Sequence, residues 1–540
     1  MRSWCNRGAA SRISSTSIDV ADDKPTISML KRALARRLAG PCRVFSSAAA
    51  ATNHAAVSDA LTLGGDSRLL LDAAHGWNKY FCPPRPVVDN AVLRGSCTCS
   101  PPTADGYAHA LERHAALEPH RGSADYATHF EAEMESVRSR LGRSLGLSEG
   151  TGIVLAASGT DAEYVPLAIA QELYPGATVH SVLAAKEEVG SGCVEAAAGE
   201  YFDPYAPYAR CEKGARLAGF EGVVLHAVAS RAKDGSVVDT AAAMASAVAD
   251  GAAAAAETSW VVRVVTGTKT GFTSSALDLP AQMAERAFTV VDACQTRLQP
   301  SAVRAHLDAG AMVMVTGSKF MQGAAFSGAV LIPPALMTRL AAGAASAPPL
   351  PAGMADFFST FEVPAELGHW RAQLHSMPNE GALARWHTAL PQMERMAAVG
   401  DARRTALEEA WTAGVVSLVE ASGNLEVLTT EMGIVSIRCK KADGSGYHAM
   451  DDLRRVHPWL ASDVSAAPAA PAAAGTKVFL GQPVKITSEQ AVLRIALGAE
   501  LLAEIDDGNY DQASEAPPVE KLSWAIREFD AIKKWDDARK

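Results

Sequence analysis

Between about Thr151 and Pro334 short apolar, β-branched runs alternate with Ala-rich stretches of helical character. The runs are Ile153–Ala157, Thr178–Leu183, Gly222–Ala229, Trp260–Thr266, Phe288–Ala293, Ala311–Thr316 and Ser327–Ile332. Helical stretches at Asp161–Leu173, Asp239–Ala256 and Leu279–Ala287 lie between several of them. Continuously apolar strands suit a sheet covered on both faces, and strand–helix alternation makes that sheet mostly parallel. Before this block, Ala110–Leu145 reads as helix. After it, Leu336–Met354 reads as a loop, residues 380–415 as helix and Leu425–Cys439 as strand. Ala466–Gly475 is an Ala/Pro linker, and Val492–Leu497 is a last strand. Leu522, Ile526, Phe529, Ile532 and Trp535 recur at spacings of three and four, which predicts a terminal amphipathic helix. The expectation is an α/β protein: an N-terminal segment (56–145), a large domain (146–350), and a smaller α+β domain (351–540) that the N-terminal segment completes.

Composition narrows the class. The chain has 540 residues, 48 % hydrophobic and 20 % charged, enough for a sizeable core. Fifty Lys and Arg against 60 Asp and Glu give a net charge of −10, which argues against nucleic acid as the main partner. No apolar run reaches the roughly 18 residues of a membrane span. Nine scattered cysteines form no C-x-x-C, so neither a disulfide scaffold nor a zinc site is expected, and a reducing compartment is. The 14 histidines show no H-E-x-x-H or similar spacing, and no metal is expected.

The first 55 residues stand apart. Met29–Ala50 carries Lys31, Arg32, Arg36, Arg37 and Arg43, and no acid appears from Met29 until Asp59. A basic, acid-poor, Ser/Ala-rich amphipathic stretch has the character of a transit peptide, mitochondrial first and plastid as the alternative. Asp19, Asp22 and Asp23 do not suit such a peptide, and translation from Met29 would remove them.

Ligands of open α/β sheets bind where strands end, so the strand exits carry the chemistry. Ser158-Gly159-Thr160 leads from the first run into a helix, and Thr160 with Glu163 has capping-box spacing. Free N–H groups at such a turn suit a phosphate. Asp292 closes the run Phe288–Val291, placed to hold a cationic partner. Lys319 leaves the run Ala311–Val315 through Thr316-Gly317-Ser318, and partial burial would lower its pKa toward Schiff-base chemistry.

The order phosphate turn, aspartate, lysine (SGTDAE, VVDACQTRL, VTGSKFMQG), followed by the arginine strand VLRIALGA, resembles the fold-type I pyridoxal-phosphate enzymes. The class V aminotransferase and cysteine desulfurase branch is the nearest in pattern. The resemblance runs from about Gly76 to Gly498. It implies pyridoxal 5′-phosphate as cofactor, with Ser158, Gly159, Thr160 and Thr316 on its phosphate. Asp292 would pair with the pyridine nitrogen, Gln295 with the ring oxygen, and Lys319 would form the internal aldimine. Arg494 would grip a substrate carboxylate. Ser318 stands where the branch has a histidine. Lys186–Ser191 contains neither histidine nor aromatic ring, so the residue stacking on the cofactor is unassigned. Thr266-Gly267-Thr268-Lys269-Thr270-Gly271 falls at a substrate-side loop and is no nucleotide P-loop. Cys439, the one cysteine after Cys294, reads as a strand residue rather than a desulfurase nucleophile. The resemblance therefore implies an enzyme acting on an amino acid or amine, an aminotransferase first. A desulfurating, β-eliminating or decarboxylating lyase is the alternative, and a non-catalytic relative comes third. It also implies a homodimer.

Overall fold

Seven strands form the central sheet: β2 (Gly152–Ala156), β3 (Thr178–Leu183), β4 (Val223–Ala227), β5 (Thr258–Val265), β6 (Ala287–Asp292), β7 (Met312–Thr316) and β8 (Gly328–Ile332). The computed structural model describes residues 47–251, 257–274 and 285–539, and residues 53–540 group into one compact unit. The expected leader lies outside the described residues up to Ser46, and its last residues belong to the folded unit: Asn53 donates from Nδ2 to Leu111 O at 3.2 Å. Parts of the expected helices Asp239–Ala256 and Leu279–Ala287 also lie outside them.

The sheet order is β2-β8-β7-β6-β5-β3-β4. β8 runs antiparallel to both β2 and β7, and the remaining pairs are parallel. Every residue of β2, β5, β7 and β8 is buried. The side chains alternate between two cores, as the period of a strand requires. Ile153, Leu155, Val313, Val315 and Leu331 join one core with Val137 and Leu141 of the helix Tyr126–Leu145. Val154, Ala156, Met312, Met314 and Val330 join the other with Leu167 and Ile169 of the helix Tyr164–Leu173. Two covered faces are why these strands read as unbroken apolar runs.

A second sheet has the order β1-β11-β12-β10-β9. Its strands are β1 (Ala91–Arg94), β9 (Leu425–Glu431), β10 (Ile434–Cys439), β11 (Lys477–Lys485) and β12 (Ala491–Ala496). β1 precedes the central sheet in sequence yet pairs in parallel with β11. The other neighbours are antiparallel.

Several elements differ from expectation. The loop read over Leu336–Met354 begins as a helix, Pro334–Gly343. Proline is at home in a first helical turn and alanine is the strongest helix former, so the composition taken for a breaker is a helix start. Residues 380–415 divide into Glu380–Ala397 and Asp401–Ala421, and the terminal helix into Ala516–Arg527 and Phe529–Asp537. The approach helix likewise divides, into Ala104–Leu117 and Tyr126–Leu145. Among the described residues no helix is long and apolar enough to cross a membrane.

A buried ion pair ties β1 to the C-terminal region. Arg94 donates from Nε to Glu515 Oε2 at 2.8 Å and from Nη2 to Oε1 at 2.5 Å, and both side chains are under a tenth exposed. Removing one partner strands a desolvated charge, at a cost of about 3–5 kcal/mol. Glu515→Ala is therefore expected to lower the thermal midpoint by several degrees, whereas exposed Asp537→Ala, which loses a surface pair with Arg455, should change stability by no more than about 1 kcal/mol. Calorimetry of the two variants checks this.

Candidate active site

Because β8 is antiparallel to both β2 and β7, the carboxyl ends of β2, β3, β5, β6 and β7 all meet one edge of the sheet. A cavity of about 670 Å3 opens there. It is lined by Ser158, Gly159, Thr160, Asp292, Gln295, Thr316, Ser318, Lys319 and Arg494, so the site residues read from the sequence come together in one place.

One end is built for an anion. Ser158 Oγ accepts the N–H of Thr160 (3.1 Å) and of Asp161 (3.3 Å), and its own proton goes to Asp161 Oδ2. The helix cap is therefore Ser158. Thr160 makes no side-chain cap bond, and Glu163 bonds to the buried Arg263 instead of closing a capping box. Arg263 sits on β5 with no exposed surface and draws Glu163 into the sheet, which is why the local pattern misled. Gly159 is required: a Cβ there would lie 2.7 Å from Cys294 Sγ.

Sequence reasoning missed the cation of this end. Arg68 reaches Ser158 Oγ from Nη2 at 3.3 Å and Thr160 Oγ1 from Nη1 at 3.4 Å. Asp66 holds it by two side-chain bonds, Nε to Oδ1 at 2.8 Å and Nη2 to Oδ2 at 2.6 Å. Its guanidinium lies 4.5 Å from the Phe326 ring centre and 5.3 Å from that of Phe202. Burial pushes the Asp66 carboxyl up, but the Arg68 charge and hydrogen bonds outweigh it and hold the carboxyl below its ordinary range. Asp161 has no such partner: burial, with the Asp66 charge nearby, raises it to about 7. The only sequence signal was the Asp66-Ser67-Arg68 triplet, in a stretch without periodicity.

Across the cavity, Asp292 at the end of β6 accepts the Cys294 N–H at Oδ1, at 3.0 Å. Gln295 donates from Nε2 to Cys97 O at 2.9 Å, and its Oε1 is buried without a partner. Thr316 donates its hydroxyl to Cys294 O at 2.6 Å, which directs it at the chain rather than at a phosphate. Ser318 and Lys319 follow in a tight loop. Gly317 permits it, since a Cβ there would meet Ala389 Cβ at 2.5 Å and Ser327 Oγ at 2.8 Å.

Arg494, on β12, is fully buried, and its fork is mostly committed to the chain. Nε and Nη2 donate to Gln482 O (3.2 and 2.6 Å), Nη2 to Thr98 Oγ1 (2.7 Å) and Nη1 to Lys269 O (2.8 Å). That leaves one of its five N–H groups. The segment Lys186–Ser191 supplies Glu188, a buried carboxylate that accepts from Thr268 Oγ1, Thr270 N and Thr270 Oγ1 at 2.8–3.0 Å. Of the aromatic rings, Tyr80 and Phe326 line the cavity. Cys439 is wholly buried in the core, does not line the cavity, and burial alone raises its thiol, so it is a structural residue.

Away from the cavity, His120, Asp125 and His129 bring one ligand-type atom each to within 4.8 Å of the others, a grouping their sequence spacing did not announce. The His120 and His129 rings stack at 3.5 Å, joined through Asp125.

No protein-family model matches the chain. No curated protein matches it either. Solved structures do match in shape. The alanine–glyoxylate aminotransferase of Nostoc sp. superposes with a TM-score of 0.50 at 14 % identity, over 82 % of this chain and 97 % of that one. The 4-hydroxyphenylacetaldehyde synthase of Rhodiola rosea gives 0.50 at 12 % identity, over 81 % of this chain and 83 % of that one. At such identities the likeness is one of fold, and the fold is that of the fold-type I pyridoxal-phosphate enzymes.

Proposed function

We propose that the protein is a pyridoxal-phosphate enzyme acting on an amino acid or amine, and that it is an aminotransferase. The observation that carries the reading is the cavity itself. It brings a guanidinium and a hydroxyl suited to an anion, Arg68 and Thr160, together with a strand-end carboxylate and a lysine in one cavity. The donor set fits the cofactor. Thr160 and Arg68 match a phosphate dianion, and Gln295 Oε1, an unpartnered buried acceptor, matches a ring hydroxyl.

When bound, pyridoxal phosphate supplies an electron sink for charge left on the substrate's α-carbon. The chain's residues supply the rest. Arg68, held rigid by Asp66, fixes the phosphate end. Asp292 holds a proton at the pyridine nitrogen. Lys319 would hold the group through its amine and would move the proton at the substrate's α-carbon.

The two structural neighbours bear different activities in their names, so the fold alone does not choose the reaction. An acceptor does. A screen of amino donors with and without keto-acid acceptors is expected to show turnover only when both are present. Turnover without an acceptor would make the protein a lyase of the desulfurating, eliminating or decarboxylating kind. A homodimer and delivery to the mitochondrial matrix complete the proposal; light scattering and N-terminal sequencing of the mature protein test them.

Two expected outcomes test the cofactor assignment. Purified wild type should show visible-range absorption from cofactor joined to an amine, and Lys319→Ala should lack it. Absence of that band in wild type loaded with cofactor would end the proposal. Replacing Arg68 together with its counter-ion (Asp66→Asn/Arg68→Met, which leaves no stranded carboxylate) should weaken cofactor affinity about ten- to a hundredfold by equilibrium dialysis.

A further inference from the structure

We propose that Lys269 forms an anion subsite in the cavity and takes the carboxylate of the substrate, with Arg494 as the residue that positions it. The inference rests on the proposed function and names the group by which that site recognises its substrate.

The loop 266–271 is held in place with unusual completeness. Glu188 takes three hydrogen bonds from Thr268 and Thr270 and a fourth from Arg231 Nε at 3.2 Å. Lys269 N donates to Glu188 O at 3.2 Å, Thr268 N to Phe272 O at 3.0 Å, and Gly271 N to Thr268 O at 3.1 Å. Gly267 and Gly271 adopt φ of +64° and +86°, a conformation other residues resist. Arg494 Nη1 then clamps Lys269 O from the second sheet at 2.8 Å. The backbone of Lys269 is therefore fixed from three sides while its side chain lines the cavity.

Its ammonium is left uncompensated. Nζ donates to Glu187 O at 3.2 Å, and among the described residues Lys269 forms no ion pair. The two nearby carboxylates are engaged elsewhere: Glu187 Oε2 accepts from Ser230 N (3.0 Å) and Oγ (3.2 Å), and Glu188 holds the loop. Two of three ammonium donors remain for a ligand. The groups facing it are Arg494 from β12, Lys319 from the loop after β7, Cys193 from the helix Cys193–Ala197, and Glu188. Burial and then the Arg494 charge lower its pKa to about 8. With the Lys319 amine joined to the cofactor, the Arg494 guanidinium is the cation that stays beside this half-buried ammonium, and a bound carboxylate gains from both. Arg494 keeps one N–H for a ligand, since four of its five already bond to the chain, whereas Lys269 keeps two.

A pair of carbonyl reagents tests this without knowledge of the substrate. Aminooxyacetate carries a carboxylate, and O-methylhydroxylamine does not; each captures the bound cofactor and bleaches its visible band. The ratio of their rates measures carboxylate recognition and cancels differences in cofactor loading. Lys269→Met is expected to lower the ratio about ten- to a hundredfold, and Lys269→Arg to retain most of it. In the wild type the ratio should fall as pH rises through about 8, where the ammonium loses its proton. That arm needs no variant to fold. A ratio unchanged in Lys269→Met, or flat across pH 8, would overturn the inference and return the carboxylate to Arg494. A wild type that binds no cofactor would instead remove the proposed function and this inference together.

Discussion

The direction of one strand fixes the site. β8 lies between β2 and β7 and runs against both. An antiparallel strand can join neighbours across a short loop, whereas parallel neighbours need a crossover. Inserting β8 thus lets the chain turn back directly after Lys319, and it leaves β2 and β7 pointing the same way. Their exits, Ser158–Thr160 and Thr316–Lys319, consequently meet at one edge although they are far apart in sequence. The packing there is close: a Cβ on Gly328 would lie 2.4 Å from Ser158 O. Any side chain at that position would push the anion cradle off the strand it terminates.

Charge inside the cavity follows a graded scheme. Arg68 is neutralised by a carboxylate two residues away, and Arg231 by Glu188. Arg494 is satisfied by carbonyls and a hydroxyl without a counter-charge. Arg297 is treated the same way, donating to Met432 O and Leu497 O at 3.0 Å, and burial lowers it to about 10. These two arginines join the exits of the central sheet to the second sheet. Their cationic forms are held by backbone dipoles, and so they contribute rigidity together with a positive potential. Asp292, Glu187 and Glu188 are outnumbered in the lining by lysines and arginines, so an anionic ligand entering this space offsets an excess of positive charge.

The large sheet was legible because burial on both faces makes most of its strand residues apolar. The seven expected runs correspond to β2 through β8 with ends shifted by one or two residues. β11 was not legible: it alternates Val478, Leu480 and Gln482 with Gly481 and Pro483, a pattern with no clear period. β1, at four residues, is too short to declare one. Among the site residues, those at strand exits could be read because the strand announces them. Arg68 could not, since its place depends on a contact across 90 residues from a single three-residue 3-10 turn, Ser67–Leu69, too short to show a period. Arg494 was legible as a residue and illegible as a partner: nothing local shows that Gln482, Lys269 and Thr98 converge on its fork.

Glu188 shows how a departure from a pattern becomes physical. In the segment Lys186–Ser191 the resemblance leads one to expect a ring over the cofactor, and the sequence offers a carboxylate instead. A ring there would cap one face of the cavity by contact. A carboxylate cannot do that, and leaving one buried without donors would be costly. It is satisfied by three bonds from a threonine-rich loop and one from Arg231. Thr268 and Thr270 flank Lys269, so meeting the needs of Glu188 necessarily sets the backbone on either side of that lysine. This wall of the cavity thus carries an ammonium mounted beside a buried, fully bonded carboxylate.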